Sequence, residues 1–198
     1  ALTQEALASA LAAAQVRPDK VKQGAADYGT LCHDIIAQLI NGQYPHVPAE
    51  VQPTIDAFHA WQAQAGITID LSETMVFSAR HRYAGTMDAK AYRGESLVVL
   101  DWKTSAGIYD EAAAQLAAYA HAWEEMTGES VREGWVIRFG KDKPEFEARQ
   151  VELQPALEMF LAALSLTRAS KQILWHTASK DEIIARGEEA IEALWGPR

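Results

Sequence analysis

The apolar positions change period several times along the chain, and each change marks a change of element. From Gly24 to Ile40, Tyr28, Leu31, Cys32, Ile35, Ile36 and Leu39 recur at helical spacing and draw one apolar stripe. The stretch Leu2 to Gln15 before it favours helix by composition. A turn-rich passage with Pro45, Pro48 and Pro53 follows, then a helix through Phe58 and Trp61 that Gly66 is placed to end. The period then becomes strand-like and predicts three strands, about Ile67 to Phe77, Tyr83 to Tyr92 and Leu97 to Thr104. Asp110 and Glu111 suit the electropositive start of a helix reaching Met126, with Gly128 as its stop. Two further strands, Arg132 to Phe139 and Phe146 to Leu153, precede two helices, Pro155 to Trp175 and Lys180 to Leu194. Such an order predicts an α/β (α+β) fold, a central mixed β-sheet flanked by helices. With no internal repeat and no long Gly/Ser/Pro linker, one domain over 1–198 is expected. Its core would span about 24–153, with helical additions at 1–66 and 155–198.

The chemistry concentrates in Tyr83 to Thr104, which reads YAGTMDAKAYRGESLVVLDWKT. Gly94-Glu95 suits a two-residue type II′ turn. In that register Arg93 faces Ser96, so Asp88 lies opposite Asp101. Alternation adds Lys103 to their face and sends Met87, Ala89, Val98, Leu100 and Trp102 to the other, which predicts one core face and one charged face. Two ionised carboxylates opposed at about 5 Å would repel by roughly 3 kcal/mol at an effective dielectric of 20. A compensating proton or cation is therefore expected. Hard oxygen ligands favour Mg²⁺ or Mn²⁺, with the Trp102 backbone carbonyl as a further candidate ligand. Lys103 beside the ion can hold a water and offset charge on a reacting phosphate. The competing structural reading is a solvated ladder of Asp88, Lys90, Asp101 and Lys103.

The composition narrows the choices. The 198 residues are 48% hydrophobic, enough for a real core, and carry a formal net charge of −9, so any contact with nucleic acid must be local. The single cysteine, Cys32, excludes an internal disulfide and a self-contained iron–sulfur cluster. No stretch approaches a membrane span of about 18 uninterrupted apolar residues, and a cytoplasmic location is expected. Charge is uneven. Between Phe77 and Ser105 five basic residues outnumber three acids, whereas Ala106 to Ser130 has five acids and no Lys or Arg. Arg80, His81 and Arg82 are the candidate phosphate contacts, with Lys141 and Lys143 ranked lower.

The order of short motifs then points to a family. Gly29-Thr30-Leu31-Cys32-His33, Glu73, Gly85-Thr86-Met87-Asp88, Asp101-Trp102-Lys103-Thr104 and Gln115-Leu116-Ala117-Ala118-Tyr119 together resemble the RecB-like, phage-exonuclease-like branch of the PD-(D/E)XK nucleases. This resemblance covers about Gly29 to Tyr119 and implies a restriction-endonuclease-like core. It implies that Asp88 and Asp101 are the metal carboxylates, the second being Asp where many relatives have Glu, and that Lys103 is the catalytic lysine. His33 matches an upstream histidine that reaches the metal, and Glu73 a less regular acidic position. Gln115 and Tyr119 match a Q-x-x-x-Y motif that orients the lysine, the water or the DNA. Spacing adds that Gln115 and Tyr119 share a helix face. It also puts His33 at the margin of its helix's apolar stripe.

These readings define a DNA nuclease dependent on one or two Mg²⁺ or Mn²⁺ ions. The resemblance suggests an exonuclease of recombination, repair or phage DNA processing in a bacterial or phage-infected cell. DNA is the expected partner, joined by a recombination or single-strand-annealing protein or a further copy of the chain, with no membrane. The alternatives are a non-catalytic DNA- or partner-binding module of the same fold and a metal-dependent phosphatase or nucleotide hydrolase, although the sequence holds no P-loop.

Overall fold

The computed structural model describes residue 24 and residues 26–172. The helices expected at 2–15 and 180–194, and Trp175 and Trp195, lie outside the described residues. Within them the elements are α1 (residues 26–40), α2 (Gln52–Ala65), β1 (Thr68–Ser78), β2 (Tyr83–Arg93), β3 (Ser96–Lys103), α3 (Asp110–Thr127), β4 (Glu133–Phe139), β5 (Phe146–Gln150) and α4 (Leu153–Gln172). The strands form one sheet in the order β1-β2-β3-β4-β5. Its first three strands make an antiparallel meander, β3 and β4 run parallel, and β5 returns antiparallel to β4. The expected mixed sheet flanked by helices is therefore present. α3 supplies the long crossover that a parallel pair requires. The chain divides into two compact units between Leu161 and Ala162, and every residue discussed below belongs to the first.

Helices cover both faces of the sheet. On one, α1 and α2 pack Ile35, Ile36, Ile55, Phe58 and Trp61 against Ala89, Ala91, Val98, Leu100, Trp102, Ile137 and Phe139. At its centre the Trp102 ring meets Trp61 at 5.2 Å, Phe139 at 5.8 Å and Phe58 at 5.9 Å between centroids. On the other face, α3 packs Ala112, Leu116, Ala120 and Trp123 against Val76, Met87, Leu97, Val99 and Val136. Small residues along α3 let the helix lie close to the strands. The expectation of one core face and one charged face is thus corrected. β3 is the middle strand and is buried from Leu97 through Trp102, so it reads as an apolar run interrupted by Asp101.

The β2–β3 turn has the expected register, Arg93 opposite Ser96 and Ala89 opposite Leu100. Gly94 adopts φ 60°, the left-handed backbone that the first central position of a II′ turn demands. Gly66 and Gly128 end α2 and α3 in the same left-handed region. No helix among the described residues is long and apolar enough to cross a membrane.

Candidate metal and phosphate-chemistry site

The site forms where the sheet breaks its own alternation. On β1, Ser72 meets Asn41 at the end of α1, whereas Val76 and Ser78 face α3. On β2, Ala89 and Ala91 pack with α1 and α2, yet Met87 and Gly85 lie against α3. The inversion falls at Glu73 in one strand and at Asp88 in its neighbour, between the pairs Ser72–Ala89 and Thr74–Met87. Glu73 takes φ 48°, a left-handed backbone costing about 1–3 kcal/mol in a residue with a side chain. Met87 consequently turns to the face opposite the one its spacing predicted. The ladder between β2 and β3 stops at Ala89–Leu100, and beyond it the Asp88 side chain takes over a backbone role. Asp88 Oδ2 accepts the Trp102 N–H at 2.7 Å.

α1 brings the histidine. It passes the end of β3 closely at Gly29, where an added Cβ would sit 3.5 Å from Thr104 Oγ1. His33, one helical turn on, shares that side. His33 Nδ1 lies 3.2 Å from Asp88 Oδ1 and 3.9 Å from Glu73 Oε1. One ligand atom from each of His33, Glu73 and Asp88 lies within 4.8 Å of the other two. A set of two carboxylates and one imidazole is chemically suited to a divalent cation.

The second half of the site comes from β3 and α3. Asp101 is 1% exposed, and its Oδ2 sits 2.7 Å from Lys103 Nζ. The ammonium also donates to Gln115 Oε1 at 2.9 Å, and Gln115 Nε2 donates to the Tyr119 hydroxyl at 2.7 Å. Asp101, Lys103, Gln115 and Tyr119 thus form one polar chain. Each acid of the opposed pair has its own compensation, Lys103 for Asp101, and His33 with a backbone N–H for Asp88. The solvated ladder does not form. Lys90 turns to Asp70 at 2.7 Å and stacks over Tyr92 and Trp123, and Asp88, Lys90 and Asp101 are all buried.

Protonation follows from this crowding. Burial pushes the Asp101 carboxyl well above the usual range, the Asp88 charge adds to it, and Lys103 and His33 oppose it. Burial and the Asp88 charge also raise Glu73. Burial raises the Tyr119 hydroxyl to about 12, with Asp101 and Asp88 adding to it against the Gln115 hydrogen bond, so it stays protonated. For His33, burial works to lower the imidazole, but the Asp88 hydrogen bond and the charges of Asp88, Asp101 and Glu73 together outweigh it. A raised histidine stabilises the fold below its unfolded value near 6.5, and the contribution is lost as pH rises through the folded value. In a metal-free NMR titration His33 is expected to hold its proton above the ordinary midpoint, and Asp88→Asn to bring that midpoint down. An unmoved midpoint in the variant would remove Asp88 as the cause.

Of the residues singled out from sequence, Asp88, Asp101, Lys103, His33, Glu73, Gln115 and Tyr119 come together. Trp102 faces Asp88 through its N–H, a group the sequence reading passed over in favour of the carbonyl. Arg80 and Arg82 stand apart, in the β1–β2 turn. Arg82 is six residues from Asp88, roughly 20 Å along an extended strand. Gly85 has a role that its motif alone does not announce. A Cβ there would sit 2.6 Å from Tyr119 Cε1, so only glycine lets the ring lie on the strand. Gly85→Ala is expected to displace Tyr119 and cost about 1–3 kcal/mol, read from denaturant unfolding. Unchanged stability would show that the ring has room to move.

No protein-family model matches the sequence and no curated protein is similar to it. Among solved structures, the chain is similar to a crystal structure of a Eubacterium rectale protein provisionally described as an exonuclease. That similarity covers 86% of this chain and 80% of the other, at 11% identity and a TM-score of 0.48.

Proposed function

We propose that the protein is a divalent-metal-dependent DNA nuclease of the PD-(D/E)XK type, hydrolysing phosphodiester bonds as an exonuclease. The observation that carries this reading is the meeting, at one end of the sheet, of a three-ligand cluster from α1, β1 and β2 with the buried Asp101 and its half-buried partner Lys103, in the motif order the family displays. His33, Glu73 and Asp88 would hold Mg²⁺ or Mn²⁺, with Asp101 and the Trp102 carbonyl as further oxygen ligands. The bound ion would act as a Lewis acid toward the scissile phosphate and lower the pKa of water.

The remaining work falls to the side chains. Asp101 holds the Lys103 ammonium by charge at 2.7 Å and Gln115 holds it by a hydrogen bond, a placement from which it would aim at the attacking water or a phosphoryl oxygen. Tyr119, protonated and pinned by Gln115, holds the amide in that orientation. Hydrolysis by direct attack of water is the expected route. Arg80 and Arg82 would meet the DNA farther along its backbone.

The test is a time course on linear and closed-circular DNA, labelled separately at each end, with Mg²⁺ or Mn²⁺ and an EDTA control. Metal-dependent loss of the linear form alone is expected. Cleavage of both forms would make the enzyme an endonuclease, and no cleavage with either ion would sink the proposal.

A further inference from the structure

We infer that the cleft at the carboxyl ends of β3 and β4 is a phosphate subsite, holding the backbone of the nucleic-acid strand beside the phosphate being cut. The inference rests on the nuclease reading and adds to it the path of the substrate. The cleft measures about 430 Å³ and lies between residues 104–106 and the loop 140–145. Its first wall, Thr104 to Ala106, continues the chain directly from Lys103. On its floor Arg138 pairs with Lys103 across the parallel ladder, so the two sit about 4.8 Å apart on neighbouring strands. Parallel strands commonly place ligands just beyond these ends.

The second wall is built rigidly. Gly140 N–H donates to Glu145 O at 2.8 Å, and Glu145 N–H to Lys143 O at 2.8 Å. A Cβ at Gly140 would stand 2.5 Å from Lys143 O, so the tight loop admits only glycine there. Buried Thr54 donates to Gly140 O at 2.7 Å and meets the Tyr28 hydroxyl at 2.7 Å. Tyr28 lies on α1, the helix that carries His33, and its ring supports Lys141 Nζ at 4.6 Å. One helix therefore positions both a site ligand and a loop cation.

Charge fits a phosphodiester. Arg138 is engaged by Glu145 and Glu147 at 3.8 and 3.5 Å, which leaves Lys141 and Lys143, on either side of the single acid Asp142, as the ammonium groups offered to a ligand. In a chain of net charge −9, two lysines on a fixed loop beside the reacting lysine form a local attraction that overall charge does not supply.

The experiment compares the full chain with the double variant Lys141→Ala/Lys143→Ala and with Lys141→Arg/Lys143→Arg. Binding of a labelled single-stranded oligonucleotide is measured by anisotropy in EDTA across a salt series, and cleavage in Mn²⁺. The alanine variant is expected to flatten the salt dependence by about 1–2 in slope and raise KM about tenfold with kcat within about twofold, and the arginine variant to restore both. Binding without cutting by the unaltered chain, with a flatter slope in the alanine variant, would keep the cleft and sink the catalytic reading. Cleavage with the same KM and slope in both variants would sink the cleft alone, as would failure of the unaltered chain to bind at low salt.

Discussion

Asp101→Asn is expected to abolish cleavage, by about 10³-fold or more, while making the metal-free protein more stable. Both effects come from one burial. The carboxyl is 1% exposed and shares its surroundings with Asp88, so its ionised form is disfavoured in the fold although Lys103 relieves part of the cost. Its folded pKa lies above its unfolded value. The folded state therefore binds more protons between those values, and stability falls as pH rises through them. An amide keeps the shape and removes the charge. In EDTA near pH 8 the gain should be on the order of 1–3 kcal/mol, a few degrees in Tm, and should vanish below about pH 3, where both states hold a proton. A melt at pH 8 no higher than that of the unaltered protein would show that Lys103 fully compensates the acid. Retained cleavage would remove Asp101 from the chemistry.

Trp102→Ala should have the largest effect on the fold, about 3–5 kcal/mol. The indole is 2% exposed and touches Phe58, Trp61 and Phe139 by their edges and faces, joining α2 to β3 and β4. The same residue's N–H holds Asp88. Emptying the core beneath it would loosen the donor that orients the acid. Trp102→Phe should recover most of the stability, measured by urea unfolding. An alanine variant within about 1 kcal/mol of the unaltered protein would mean that the neighbouring rings collapse into the gap.

The strand hairpin was legible because a Gly-X turn between alternating runs fixes a register by itself, from Arg93 opposite Ser96 to Ala89 opposite Leu100. Helix stops at Gly66 and Gly128 were equally local. The faces were not legible in full. Spacing assumes unbroken alternation, and nothing in the sequence announces that Glu73 adopts φ 48° or that Asp88 replaces a ladder partner. The cover given by α3 was hidden for a related reason. An alanine-rich helix has a weak apolar stripe, so its burial against Leu97, Val99 and Val136 depends on the parallel β3–β4 crossover, a non-local feature. Lys141 and Lys143 rank below Arg80 and Arg82 on sequence alone because the link that fixes their loop, from Gly140 through Thr54 to Tyr28, joins residues 86 and 26 positions apart.

The inverted alternation at Glu73 and Asp88 also bears on how the centre assembles. Asp88 reaches Trp102 across 14 positions, and Lys103 reaches Gln115 across 12, so the polar groups of the meander and α3 meet over short loops with little closure entropy. His33 alone must arrive from a distant stretch. The acids and the lysine should thus gather early during folding, with the imidazole completing the cluster as the last piece.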